Sequence, residues 1–314
     1  MKKTVVVALG GNSFISDETH QSVEDQYCAA ERACSHIVPL LRDPEVRLVL
    51  THGNGPQVGF ILRRSEIAAK EMHQVPLDSC VADTQGALGY QLERALRNEL
   101  RRCGLKRAPA AVVTLVLVDH KDGAFKKPTK PIGEFMTRER AEEHRVKDGW
   151  DVVEDAGRGW RRVVASPVPK AILDLDAVRT LLDAGFVVIA AGGGGIAVVE
   201  EPNGAVTGTS AVVDKDLASS LLARQLGAGT LVITTGVDKV SLDFGKPTQR
   251  ALDTMTVAEA KRYIAEGHFK PGSMLPKVQA IVEFLEGGGE QAFITDPVHL
   301  ASALAGRAGT RMTR

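Results

Sequence analysis

Three apolar, β-branched runs in this sequence each break off into a glycine-rich turn, and that pattern constrains the fold more than any other feature. Residues 4–9 run into Gly10-Gly11-Asn12, residues 46–51 into His52-Gly53-Asn54-Gly55-Pro56, and residues 186–191 into Gly192-Gly193-Gly194-Gly195. Further strand-like runs cover residues 110–118, 230–235 and 291–295. Between them lie segments with helical periodicity: 22–41, 57–70, 78–103, 174–184, 214 to about 226, 256–266, 276–286 and a short helix ending near Gly306. Ser22 followed by Asp25 is a capping-box start. Such alternation predicts an α/β fold, a three-layer αβα sandwich in which helices cover both faces of an open, mainly parallel sheet.

One stretch breaks the rhythm. Residues 119–165 are charged and punctuated by Gly and Pro, with Lys126-Lys127-Pro128-Thr129-Lys130-Pro131 and Gly157-Arg158-Gly159 inside. A structureless loop of that length is improbable in a compact domain. The segment therefore predicts a small protruding, β-rich subdomain of short hairpins.

Charge and composition narrow the partners. Lys plus Arg number 39, as do Asp plus Glu, so the formal net charge is zero. Non-specific nucleic-acid binding favours a basic balance, and 4% aromatic residues leave little for base-stacking platforms. Neither nucleic acid nor membrane is expected as a partner. The run 4–9 is too short for a signal peptide or a membrane helix, and no later stretch reaches membrane length without a charge or a glycine. Cys28, Cys34, Cys80 and Cys103 lack metal-ligand spacing and read as reduced thiols, which points to a cytoplasmic protein.

In open parallel sheets, ligands bind beyond the carboxyl ends of the strands. Glycines there let backbone N–H groups approach a phosphate, and the helix N-termini behind them favour negative charge. A single glycine turn is most often only a turn; three at strand ends point to a shared anion site. None is a Walker A sequence or a G-x-G-x-x-G fingerprint, which disfavours a P-loop NTPase and a dinucleotide dehydrogenase. Lys215, in Val213-Asp214-Lys215-Asp216, and Lys277, in Gly272-Ser273-Met274-Leu275-Pro276-Lys277, stand where turns meet helices. A lysine there opposes the helix dipole unless an anion offsets it. Lys130 stands between two prolines of the protrusion. Asp214 and Asp216 suit helix capping equally well. In the functional reading Asp216 holds the ammonium groups in place, and a carboxylate, Asp214, helps place Mg²⁺. No general base stands out, His52 included. That suits an acceptor that is already anionic, hence an acyl-phosphate-forming kinase.

These residues sit in motifs that resemble carbamate kinases, in the amino-acid-kinase fold group, nearly end to end from Val5 to about Gly309. The shared pieces include Val6-Val7-Ala8-Leu9-Gly10-Gly11-Asn12, Gly53-Asn54-Gly55-Pro56-Gln57-Val58-Gly59, Thr84-Gln85-Gly86 and Pro128-Thr129-Lys130-Pro131-Ile132-Gly133. They continue through Glu154-Asp155-Ala156-Gly157-Arg158-Gly159-Trp160-Arg161-Arg162-Val163-Val164, Gly192-Gly193-Gly194-Gly195-Ile196, Asp214-Lys215-Asp216 and Gly272-Ser273-Met274-Leu275-Pro276-Lys277-Val278.

The resemblance implies reversible transfer between ATP and carbamate, giving ADP and carbamoyl phosphate, with Mg²⁺ and usually as a homodimer. Residues 1–190, with the protrusion, would bind the acceptor, and residues 191–314 the nucleotide. Gly10, Gly11 and Asn12 would contact the moving phosphoryl group, and Gly53 and Asn54 would shape the acceptor site. Lys215 and Lys277 would neutralise phosphoryl oxygens, oriented by Asp216, and Lys130 would reach in from the protrusion. Gly193 and Gly194 would line the nucleotide side, next to Asp214. The chain departs from the family pattern at Glu134-Phe135-Met136, where Pro and Tyr are usual, at Ser210 (usually Glu) and at Ser241 (usually Tyr). A paralogue acting on another small carboxylate, or a non-catalytic metabolite binder on the same fold, are the competing expectations.

Overall fold

Strand β1 (Lys3–Leu9) is buried from Thr4 onward, with water excluded from both of its faces. An unbroken β-branched run has that fate in the middle of a parallel sheet. The computed structural model describes residues 2–10, 20, 22–155 and 159–314. Gly11, Asn12, Gly157 and Arg158 therefore lie outside the described residues.

β1 pairs in parallel with β2 (Val46–His52), Val6 opposite Val49, and with β12 (Thr230–Thr234), Val6 opposite Leu231. Beyond β2 lie β9 (Val187–Ile189) and the edge strand β3 (Pro109–Ala111), both parallel. Beyond β12 lie parallel β16 (Gln291–Thr295), antiparallel β17 (Thr310–Thr313) and β15 (Thr254–Thr256). The order of this eight-stranded sheet is β15-β17-β16-β12-β1-β2-β9-β3.

The period-two alternation of β1 sorts the core into two layers. Val5, Val7 and Leu9 pack among α1 (Val23–Ile37), α3 (Leu77–Arg102) and α9 (Leu300–Leu304). Val6 and Ala8 face α5 (Leu175–Asp183), α6 (Lys215–Gln225), α7 (Val257–Ala265) and α8 (Met274–Glu286). The expected αβα sandwich is present. The capping box at Ser22 and Asp25 forms. α1 stops at Ile37 and tightens into a 3₁₀ turn, because Pro39 has no N–H to continue the ladder.

The strand expected over 110–118 is two strands in different sheets. β4 (Leu115–Val118) joins a second sheet in the order β11 (Val206–Gly208), β10 (Ile196–Glu200), β4, β8 (Pro169–Ile172). Buried Thr114 makes the break: its N–H donates to Gln85 Oε1 at 2.8 Å, and its Oγ1 accepts the Ala191 N–H at 2.9 Å. Side-chain partners thus take the Thr114 N–H and hydroxyl, while its carbonyl accepts the Ile196 N–H of β10 at 2.9 Å.

The protrusion is an antiparallel sheet, β5 (Lys130–Met136), β7 (Trp160–Val164) and β6 (Asp151–Glu154), crossed by helix α4 (Arg138–Asp148). The expected small β-rich subdomain is present, and it includes a helix as well as strands. α4 escaped notice because only Ala141 of its residues is buried, so it carries no apolar period. Its real signals are the Thr137 N-cap and left-handed Gly149 at its end. Helix α2 (Gln57–Ala68) runs beneath the protrusion, and a small hairpin, β13 (Ser241–Leu242) and β14 (Arg250–Ala251), lies beyond β12. Among the described residues no helix is long and apolar enough to cross a membrane.

Candidate active site

Asp214 ends an extended segment and caps α6, its Oδ1 accepting the Asp216 N–H at 2.9 Å. The cap throws Lys215 and Asp216 into the first helical turn. Asp216 is 2% exposed, yet both of its oxygens are occupied. Oδ1 accepts from Lys215 Nζ at 2.5 Å and Oδ2 from Lys277 Nζ at 2.9 Å. Lys277 comes from the first turns of α8, which packs alongside α6. Lys130, at the start of β5, leans in from the protrusion and donates to Asp214 Oδ2 at 2.6 Å.

The glycine turns close the opposite side. Gly193 has φ +67°, and a Cβ there would collide with the Asn54 side chain, so only glycine lets the turn press against Asn54. Asn54 Nδ2 donates to the Gly193 carbonyl at 3.1 Å, while its buried Oδ1 has no hydrogen-bond partner among the described residues. Gln85, on α3, fastens the same turn by donating to the Gly192 carbonyl at 2.9 Å. Its positioning role was not read from the sequence, although a glutamine among buried helix positions was the available signal.

A cavity of about 200 Å³ results, walled by Gly53, Asn54, Lys130, Gly193, Asp214, Lys215, Asp216 and Lys277. Chain segments more than 200 residues apart in sequence thus meet at the carboxyl ends of the central strands. Gly194 backs onto the Val213 carbonyl behind this wall. Gly10 ends β1 with its N–H already donated to Thr234 Oγ1 at 3.1 Å. Gly272 and Ser273 join the wall at the start of α8, a contribution the sequence reading left unassigned.

The model of the amino acid kinase family matches residues 3–296. The chain belongs to the amino acid kinase family. Within that family it groups with the carbamate kinases and is a phosphotransferase, as the sequence resemblance implied. It is 51% identical to carbamate kinase-like protein YahI of Escherichia coli (strain K12), with 100% of both chains covered. It is 44% identical to the carbamate kinase of Thermococcus kodakarensis, with 99% of both covered. A solved structure of carbamate kinase from Giardia lamblia bound to AMP-PNP superimposes with a TM-score of 0.92 at 39% identity, covering 99% of this chain and 98% of that one.

The electrostatics of this amino acid kinase follow from its burial pattern. Burial alone would raise the Asp216 carboxyl, but the Lys215 and Lys277 ammonium groups overrule it and hold the group well below the usual carboxylate range. Burial pushes the Lys215 ammonium down, opposed by Asp216. Two cations on one anion leave net positive charge facing the cavity, and an anionic ligand would complete the balance. His52 is buried and pushed down to about 4, so its ring is neutral at ordinary pH. Its Nδ1–H donates to the Gly53 carbonyl at 3.0 Å. The three ammonium groups held by Asp214 and Asp216 make this pair of carboxylates a poor fit for a protein-held Mg²⁺. The ion would have to arrive on nucleotide phosphates.

Proposed function

We propose that this amino acid kinase is a carbamate kinase, moving a phosphoryl group reversibly between ATP and carbamate and giving ADP and carbamoyl phosphate. The observation that carries the reading is the buried Asp216 bridging Lys215 and Lys277 on the wall that also holds Asn54 and Gly193. Phosphoryl transfer develops little need for covalent chemistry by the protein; it needs positive charge fixed around the oxygens in flight. Lys215 and Lys277 supply that charge, and Asp216 keeps both ammonium groups aimed without side-chain reorganisation.

Lys130 approaches from the protrusion toward the acceptor, while Gly53 and Asn54 shape the acceptor site. Gly10, Gly11 and Asn12 serve the moving group, and Gly193, Gly194 and Asp214 border the nucleotide. Residues 1–190 form the acceptor part and residues 191–314 the nucleotide part. No general base is required, because the carbamate oxygen is already anionic. Mg²⁺ enters with ATP or ADP. Carbamoyl phosphate is a mixed anhydride, so the favourable direction makes ATP. The protein acts in the cytoplasm as a homodimer.

The test is ATP formation from carbamoyl phosphate and ADP with Mg²⁺, followed by luciferase, with Lys215→Ala as control. Signal in the wild type that vanishes in the variant is expected. Silence from well-folded wild type would sink the reading, and tight anion binding without turnover would make the chain a metabolite-binding protein.

A second reading, a paralogue specific for another small carboxylate, has an observation behind it. At the Glu134-Phe135 departure, Arg63 (3.6 Å) and Arg140 (2.8 Å) hold Glu134, and Phe135 packs against Arg161, so the protrusion has its own local wiring beside the cavity. Acetyl phosphate outperforming carbamoyl phosphate in the same assay would favour it.

A further inference from the structure

The protrusion does more than carry Lys130. Between it and the body lies a second, larger cleft of about 930 Å³, a size that accommodates a small-molecule ligand. On the protrusion side a stack of planar groups forms its wall. The His144 and Trp150 rings lie parallel with centroids 4.1 Å apart, and the Arg162 guanidinium carbon stands 4.5 Å from the Trp150 ring centre. Arg162 is half-buried, and among the described residues its nitrogens make no hydrogen bond or ion pair. Stacking uses the guanidinium face and leaves the N–H edge available, the geometry that grips an oxyanion in a fork.

The lining mixes both signs of charge, and its unpaired groups are mostly cations. Lys147, on α4, and Lys70, just past α2, face it and pair with no carboxylate among the described residues. Glu66 also contacts Arg63 at 3.5 Å, and Asp148 hydrogen-bonds the His144 ring at 2.6 Å, so the carboxylates near Arg162 (Glu66, Asp148 and Asp151) act on it at a distance without pairing with it, and Asp78 has no ion pair among the described residues. We propose that this cleft is a second binding site, separate from the catalytic cavity, for a small oxyanion of the phosphate type, gripped by the Arg162 fork with Lys147 and Lys70.

Its position couples it to the chemistry. Arg162 lies opposite Ile132 in the β5–β7 ladder, two residues from Lys130, and the cleft also touches Ser210, four residues before Asp214. An anion that ties Arg162 to the body holds the protrusion, and with it the Lys130–Asp214 pair. Occupancy and substrate affinity are then linked reciprocally.

Calorimetric titration of the full chain with inorganic phosphate tests the site, without any need for turnover. The background is Lys277→Ala, which weakens phosphate binding at the catalytic cavity. Phosphate should still bind, at least tenfold more weakly when Arg162→Gln is added and several-fold more weakly when Lys147→Gln is added. Lys147 is exposed on α4, so that variant folds even if loss of the Arg162 stack does not permit folding. Absence of phosphate binding in the Lys277→Ala background overturns the proposal. So does binding that neither added substitution weakens in folded protein.

Discussion

Asp216 accepts one hydrogen bond from its neighbour Lys215, at 2.5 Å, and one from Lys277, at 2.9 Å and 61 residues further along the chain. Its carboxylate is the hub on which two helix starts converge. Asp216→Asn keeps the shape but turns an N–H₂ group toward one ammonium. Breaking a buried pair in this way costs about 3–5 kcal/mol. The melting temperature should fall clearly, and kcat/KM should drop by ~10² or more. A variant with wild-type melting and turnover would show that the hub is not needed.

Lys277→Ala is expected to act differently. Asp216 retains Lys215, so thermal stability should change little, while kcat falls by about 10²–10³ as one charge on the phosphoryl oxygens is lost. Equal losses in melting and in turnover would mean that Lys277 is structural.

Asp214 has two jobs that can be separated. Its Oδ1 caps α6 and its Oδ2 holds Lys130. Asp214→Ser should retain the cap and release Lys130, giving near wild-type stability with a raised KM for the acceptor. Asp214→Ala should lose the cap as well, at about 1 kcal/mol. Urea denaturation alongside steady-state kinetics distinguishes the two; equal stability of both variants would remove the capping role.

Gly193→Ala asks a residue to hold φ +67° while its Cβ meets Asn54. The left-handed backbone alone costs about 1–2 kcal/mol for a non-glycine residue. Stability and turnover should both fall, with the Asn54–Gly193 hydrogen bond lost. A variant that retains full activity would show that the turn tolerates displacement.

Acidification should weaken folding through His52. Its ring is pushed from 6.5 to about 4 by burial, so between those values the unfolded chain binds the extra proton and the native state does not. Stability from this residue is complete above about 6.5, falls as pH drops toward 4, and amounts to roughly 3 kcal/mol across the window. Chemical denaturation at several pH values should show that slope, and His52→Gln should flatten it; an unchanged slope would assign it to other groups.

Much of this was legible in the primary structure because local physics carried it. The β-branched run of β1, the Ser22–Asp25 box and the glycine turns at Gly55 and Gly193 signal their roles through propensity and backbone geometry alone. Helix α4 was hidden because a nearly all-exposed helix has no apolar stripe. The split at Thr114 was hidden because its cause, Gln85, lies on another element.

The candidate site divides the same way. The sequence by itself determined which residues could do the chemistry: lysines at helix starts, carboxylates beside them, glycines where backbone must come close. Only the tertiary structure decided that Asp216 joins Lys215 to Lys277, that Lys130 reaches Asp214 from a separate subdomain, and that Arg162 stacks on Trp150 over a second cleft. Spacing along a chain reports neighbours within one element; which helix starts converge is set by sheet order and by how both layers pack against it.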